Sequence, residues 1–370
     1  MPTVEELYNQ RLQRIKTAMD LGTPDRIPIS LGGPSFIYYS EPEATLSDYV
    51  LRPEWADDAV IRSYKMLPEI DTAPQFSGNR EAMGAMWFAK VKLPGKDLPK
   101  NSLWQIVEVG PMTEEDYDTI INKGWSVLSK ELLDRLGYTE EQLTPDFEYM
   151  EKMNKIVREE LGLVNPTGGA YVMPVEILSA ARSLKKFLRD LYRMPDKVIE
   201  AMDVIADEYI ESAKKLIEEQ KPLSIFLGFG RFGEDLLNLD RFEKFTWRFT
   251  KKITDALIAA GTKVWFHMDG KWNAYLSYWR DFPKASCIFD PDSLTDIVKI
   301  KEVLGDYMCV TGDVPPSILE MGTPDENYKY ARKLVELFGN RGFIMSSGCS
   351  VPPYAPLENI KAVIAAALEG

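Results

Sequence analysis

The chain has 370 residues, of which 45% are hydrophobic and 27% charged, and it carries a formal net charge of −13. That acidity repels phosphate backbones and anionic lipid, so neither nucleic acid nor a membrane surface is an expected partner, and no apolar run approaches the ~18 residues of a membrane span. Three cysteines, Cys287, Cys309 and Cys349, are an odd count for a disulfide framework, so free thiols and a cytoplasmic location are expected.

Residues 1–20 (MPTVEELYNQRLQRIKTAMD) read as a charged amphipathic helix without the apolar core of a signal peptide. Short strands are predicted at 26–31 (RIPISL) and near 70–75 (IDTAPQ). The stretch 88–146 mixes Gly, Pro and helical pieces such as 113–123, and is predicted to be an insertion in an early strand-to-helix connection of one domain spanning 1–370. From about residue 160 onward, short apolar runs alternate with helical periodicity, the pattern of repeated βα units. Strands are predicted at 170–174 (AYVMP), 224–228 (SIFLG), 263–268 (KVWFHM), 286–289 (SCIF), 307–311 (YMCVT) and 342–346 (GFIMS), before a closing helix at 356–370. Eight parallel strands imply a closed (β/α)8 TIM barrel, a fold whose single domains run from roughly 200 to over 400 residues.

The chemistry of such a barrel sits at the carboxyl ends of its strands. In VWFHMDGKW (264–272) the only histidine, His267, lies there with Asp269, and the two-residue period of a strand puts both on one side of the chain. Cys349, in FIMSSGCSVPP (343–353), ends the last strand. Cys309, in YMCVTGDVPP, lies as far into its strand as His267 into its own, which makes it a candidate fourth ligand of a zinc site. A lone strand histidine is commonly a hydrogen-bonded structural residue, and a buried cysteine a small core hydrophobe, as Cys287 in SCIF is expected to be. Cys349 departs from that pattern, because a Ser-Gly-Cys-Ser turn before two prolines specifies backbone shape.

Asp313, in the GDVP turn, is a candidate catalytic residue for polar contact to substrate or for orienting metal ligands, with a turn-capping role as its alternative. Phe36, Tyr38 and Tyr39 after the first strand, together with Trp87, Tyr171, Phe229, Phe232, Trp272 and Tyr354, are candidates to shape a substrate pocket. Phe36, Tyr38, Tyr171, Phe229 and Trp272 stand first among them. Most aromatic residues are core, so fewer than half are expected to touch substrate. GFGRFG (228–233) matches GxGxxG after a strand, but the next strand ends at Asp269, too late for a dinucleotide site.

The segments GDVPPSILEMGTP (312–324) and GFIMSSGCSVPPYAPLENIKAVI (342–364) resemble the carboxyl-terminal signature of the uroporphyrinogen decarboxylase superfamily, and RLQRIKTAMDLGTPDRIPISL (11–31) resembles its opening helix and first strand. The likeness covers most of the chain and is weakest between about 75 and 160. It implies the same barrel, and either a decarboxylase or a cobalamin-dependent methyltransferase. The decarboxylases carry an Arg-rich segment after the first strand for a polycarboxylate substrate, whereas GGPSFIYYSEPEA (32–44) has no Arg or Lys and presents Glu41 and Glu43. Decarboxylation is therefore the disfavoured branch.

The methyltransferase branch has a zinc motif of a His, a Cys two residues on, and a Cys in the last turn. His267 and Cys349 match it, while Asp269 replaces the first Cys with a harder donor. The resemblance thus implies zinc held by His267, Asp269, Cys309 and Cys349, or by a subset that leaves a position open. It implies transfer of a methyl group from a small methylated substrate, such as a methoxylated aromatic, to cobalt(I) of a corrinoid. That corrinoid is expected on a separate protein, because DxHxxG is only half present, with Trp265 in the place of the Asp. The alternatives are transfer from a methyl-corrinoid to a thiol of the coenzyme M type, decarboxylation, and a metal-free corrinoid-binding or chaperone module. Some relatives that demethylate methoxylated aromatics use an Asp and two Cys. Asp281, 28 residues before Cys309, has that spacing, but Asp269 is preferred because Asp281 follows a helix toward the opposite barrel face.

Overall fold

The computed structural model describes residues 2–74, 76 and 79–370. Its strands are β1 (Ile29–Ser30), β2 (Lys90–Lys92), β3 (Gln105–Val107), β4 (Ala170–Val172), β5 (Ser224–Phe229), β6 (Lys263–Met268), β7 (Cys287–Pro291), β8 (Cys309–Val314) and β9 (Phe343–Ser347). Seven of them form one parallel sheet in the order β1-β9-β8-β7-β6-β5-β4. The pairing of β1 with β9 curls the sheet back on itself, and the chain is a (β/α)8 barrel with helices packed outside.

The eighth stave is thinner than the sequence predicts. At 70–75 a single bridge, Thr72 to Val164, replaces a strand, and Gln75 lies outside the described residues. Around it Asp71 N donates to Ile29 O (2.9 Å), Ala73 N to Val164 O (2.8 Å) and Gly168 N to Ser224 O (2.9 Å), so backbone bonds still run from β1 to β5. Pro28, Pro74 and Pro166 flank these pairings, and a residue without an N–H cannot extend a ladder.

An ion cluster reinforces this thin seam. The wholly buried Asp71 accepts from Arg14 Nη1 (2.6 Å), Arg26 Nη1 (2.8 Å) and the backbone N–H of Ile29 (2.8 Å). Arg14 belongs to the helix Val4–Met19, which starts at a capping box on Thr3. That helix plugs the barrel floor: its Ile15, Ala18 and Met19 pack with Val164, Trp265, Ile288, Cys309 and Ile344. Alternate strand residues, among them Val264, Phe266, Phe289, Val310 and Met345, face the outer helices in the main core.

Between Thr72 and Val164 lies the inserted part, the antiparallel hairpin β2–β3 and helices that include Asp116–Lys123, Trp125–Arg135 and Phe147–Glu159. Its added structure continues past residue 146, and Tyr117, Trp125, Leu128, Leu132 and Met153 join the same apolar cluster as the barrel's outer layer. The hairpin leans over the barrel mouth, where Asn101 O accepts from Tyr354 Oη and Glu108 Oε1 accepts from Leu184 N at 2.9 Å. No described helix is long and apolar enough to cross a membrane.

Removing one member of a buried ion cluster strands its partners. Asp71→Ala is expected to cost about 3–5 kcal/mol of stability, read from the guanidinium midpoint, because the buried Arg11 and the half-buried Arg26 lose their acidic partner while Arg14 keeps only Asp25.

Candidate metal centre at the barrel mouth

His267 is the fifth residue of β6, and the parallel register sets it between Gly228 of β5 and Asp290 of β7. Gly228 presents no side chain at that level, and the ring of Phe226, two residues below, stacks on the imidazole with centroids 5.6 Å apart. On the other side Asp290 Oδ2 lies 2.9 Å from His267 Nδ1 and also accepts from Trp265 Nε1 at 2.9 Å. The second imidazole nitrogen, Nε2, faces Asp269 Oδ1 at 3.3 Å.

Asp269 follows β6 and is held through its backbone. Its N–H donates to Phe229 O (2.9 Å) and its carbonyl accepts from Trp272 Nε1 (2.8 Å), which leaves the carboxylate free to face the mouth. Gly270 then turns the chain at φ 86°, a left-handed conformation that costs a glycine nothing, and its N–H is capped by Asp292 Oδ2 at 2.7 Å. Cys349 approaches from the turn after β9. There the Ser347 hydroxyl donates to the Cys349 carbonyl and Gly348 N donates to Val314 O at 2.9 Å.

The ligand atoms of His267, Asp269 and Cys349 all lie within 4.8 Å of one another, with His267 and Asp269 half-buried and Cys349 exposed. Burial opposes a charged imidazole, yet Asp290, Asp269 and Cys349 together hold the His267 ring well above the usual histidine range. A nitrogen lone pair facing a carboxylate at 3.3 Å is repulsive unless a proton or a cation lies between them. One nitrogen, one oxygen and one sulfur donor converging on one point, open toward solvent, therefore fit a divalent cation such as zinc with a free coordination position.

Cys309 does not belong to this group, which corrects the sequence expectation. It opens β8 opposite Ile288, which pairs with Trp265, two residues below His267, and its side chain is wholly buried in the apolar floor. Cys309 lies lower in the barrel than His267 because β8 begins at Cys309 and not two residues earlier. Burial pushes the Cys309 thiol up, the opposite of what a metal ligand needs. Cys287 is likewise core, on the outer face, its thiol pushed up to about 12 by burial. Asp281 is exposed at the end of a short 3-10 helix (Leu276–Asp281) that leads into β7, away from the strand ends that carry the mouth.

Asp313 lies near the end of β8, where its Oδ1 accepts from Tyr330 Oη at 2.9 Å. It is thus tied to the outer helix Pro324–Phe338 and is not one of the three converging donors. The aromatic expectations also change. Phe36 is wholly buried against Tyr64. Tyr171 faces outward, its ring by Tyr209 and its hydroxyl on Ser212 Oγ (3.1 Å). Phe229 and Trp272 are buried in a cluster with Trp279, on the helix side of the sheet. Tyr38 is half-buried with its ring beside that of Tyr354, and its hydroxyl is shielded from solvent. The GFGRFG loop wraps a carboxylate of the chain itself: Glu176 Oε1 accepts from Arg231 N (2.9 Å) and Phe232 N (3.0 Å).

Two residues of the site escape a motif search, Asp290 and Asp292. Their signal was present, since FDPD repeats on β7 the spacing of two that marks His267 and Asp269 on β6.

Burial pushes the Asp313 carboxyl up to about 7, against the lowering effect of the Tyr330 hydroxyl. A proton held more tightly in the folded chain stabilises it fully below the unfolded value of 3.8, and that contribution is lost as pH rises through about 7. Guanidinium midpoints at pH 5 and pH 8 are expected to show wild type losing stability relative to Asp313→Asn, which cannot ionise.

Residues 119–369 match the uroporphyrinogen decarboxylase (URO-D) family. Two methylcobamide:CoM methyltransferases named MtaA, from Methanosarcina barkeri and from its strain Fusaro, are 28% and 27% identical over 216 residues, 57% of this chain. The match spans 60% of the length of these curated relatives. A methyltransferase from Methanosarcina mazei has the same fold, with a TM-score of 0.68 at 19% identity over 100% of this chain and 99% of its own. The matched family segment contains His267, Asp269 and Cys349, and the barrel that carries them is shared along the whole chain: the protein belongs to the uroporphyrinogen decarboxylase (URO-D) family.

Proposed function

We propose that the chain is a zinc-dependent methyltransferase acting with a corrinoid carried on a separate protein. The observation that carries this reading is the convergence of His267 Nε2, the Asp269 carboxylate and Cys349 Sγ at the open end of the barrel. The names of the two curated relatives support corrinoid-linked methyl transfer. The missing basic residues at 32–44 speak against a polycarboxylate substrate.

Bound by these three donors, zinc would serve as a Lewis acid for an oxygen or sulfur of the substrate. The chain's own residues prepare that position. Asp290 holds the imidazole, Asp292 and Trp272 bracket the backbone around Asp269, and the prolines after Cys349 hold its turn at the rim. Asp313 acts at most from behind, through Tyr330.

Asp269 decides the substrate class. A carboxylate donates less electron density than thiolate, leaving the metal more electrophilic and better matched to a departing phenolate oxygen than to activating a thiol. We therefore assign the methyl donor to small O-methylated compounds, methoxylated aromatics first, with the corrinoid cobalt as acceptor. The second reading, transfer from a methyl-corrinoid to coenzyme M or a similar thiol, is favoured by the relatives' names.

Elemental analysis after purification without chelator is expected to find about one zinc per chain. His267→Ala and Cys349→Ala should lose it, and Cys309→Ala should retain it. A wild type without stoichiometric zinc overturns the metal reading.

Incubation with a reduced corrinoid protein and a panel of methoxylated aromatics should release the free phenol, followed by chromatography. Methylation of coenzyme M from a methyl-corrinoid protein without any ether cleavage would overturn the donor assignment in favour of the second reading.

A further inference from the structure

We propose that Asp290, anchored by Trp265, is the positioning residue of the candidate zinc site: it fixes the His267 ring so that Nε2 is presented to the metal. The inference rests on the zinc reading and deepens it. Three side chains on two adjacent strands carry it. Trp265 and His267 lie two residues apart on β6, hence on the same inward face, and Asp290 stands directly opposite His267 in the β6–β7 register. A single oxygen, Asp290 Oδ2, lies 2.9 Å from the indole Nε1 of Trp265 and 2.9 Å from Nδ1 of His267.

The indole can only donate, so that oxygen is an acceptor, and an acceptor at Nδ1 places the proton there. When a metal takes the place of the other ring proton, the coordinating lone pair is that of Nε2, which faces Asp269 and Cys349. The anchor itself is rigid. The Trp265 ring is wedged in the barrel floor with Ile288 and Cys309, so the carboxylate is held from below by an element that cannot swing. Trp265 occupies the position where a corrinoid-binding DxHxxG motif would carry its Asp, and in this chain it serves the histidine two residues on.

The strand end that carries Asp290 also reaches the other two donors. Asp292 caps the N–H of Gly270 beside Asp269. Its backbone lies so close to Gly348, beside Cys349, that a Cβ there would fall 2.7 Å from the Asp292 carbonyl. The end of β7 is therefore the common support of the whole triad. Residues of this kind typically change metal affinity by about 10–100-fold when removed.

The test uses the full chain and two readouts. Zinc affinity is measured by competition with a chromophoric chelator, and the ring nitrogens of the only histidine by 15N NMR, where a single residue gives unambiguous signals. Asp290→Ala is expected to weaken zinc about 10–100-fold and to move the Nδ1 signal. Asp290→Asn, which keeps an acceptor oxygen, should recover part of both. Trp265→Phe, which keeps a ring in the floor and removes the N–H, should fall between wild type and Asp290→Ala.

Wild-type affinity and signals in Asp290→Ala overturn the proposal. A loss as complete as that of His267→Ala also overturns it, by making Asp290 a ligand. If wild type takes up no zinc, the zinc reading fails by itself and the NMR arm still decides: an unchanged Nδ1 signal in Asp290→Ala overturns control of the ring, and a changed one upholds it.

Discussion

The parallel register that sets His267 opposite Asp290 is the constraint on which the mouth of this barrel depends. Each residue lies two positions from a second acid at the end of its strand, so one pairing level brings an imidazole and three carboxylates into a small volume. Partial burial there makes their interactions stronger than in water and makes an uncompensated negative charge costly. That charge favours either a proton or a divalent cation on the His267 nitrogen that faces Asp269 and Cys349.

Stability and chemistry are separated along the barrel axis. The floor is apolar, plugged by the first helix, and the weak stave at Thr72 is tied in by Asp71 and its arginines. The mouth is polar, and every donor there is held by a neighbour that is not itself a donor. Trp265 belongs to both layers, with its ring in the floor and its N–H on the acid that steadies the histidine. The inserted hairpin adds a rim over the mouth through Asn101 and Glu108.

Periodicity along a strand tells which side a residue takes, but not the level at which its strand begins, and an offset of two residues is roughly 6.6 Å. That offset removed Cys309 from the donors. The same limit moved Tyr171 and Phe229 to the helix side, because a position on β4 or β5 can face either the pocket or the outer core. Asp313 sits near the expected strand end, and its partner, Tyr330, comes from the outer helix that follows β8.

The sequence by itself determined the barrel, the placement of His267 and Asp269 on one strand end, and the turn that carries Cys349. Alternation, strand length and glycine or proline punctuation are local properties, written in consecutive residues. Only the tertiary structure decided which cysteine joins the histidine and which acid steadies it. Those choices depend on the stagger between strands far apart in the chain, which is fixed by packing in the barrel and by no local pattern.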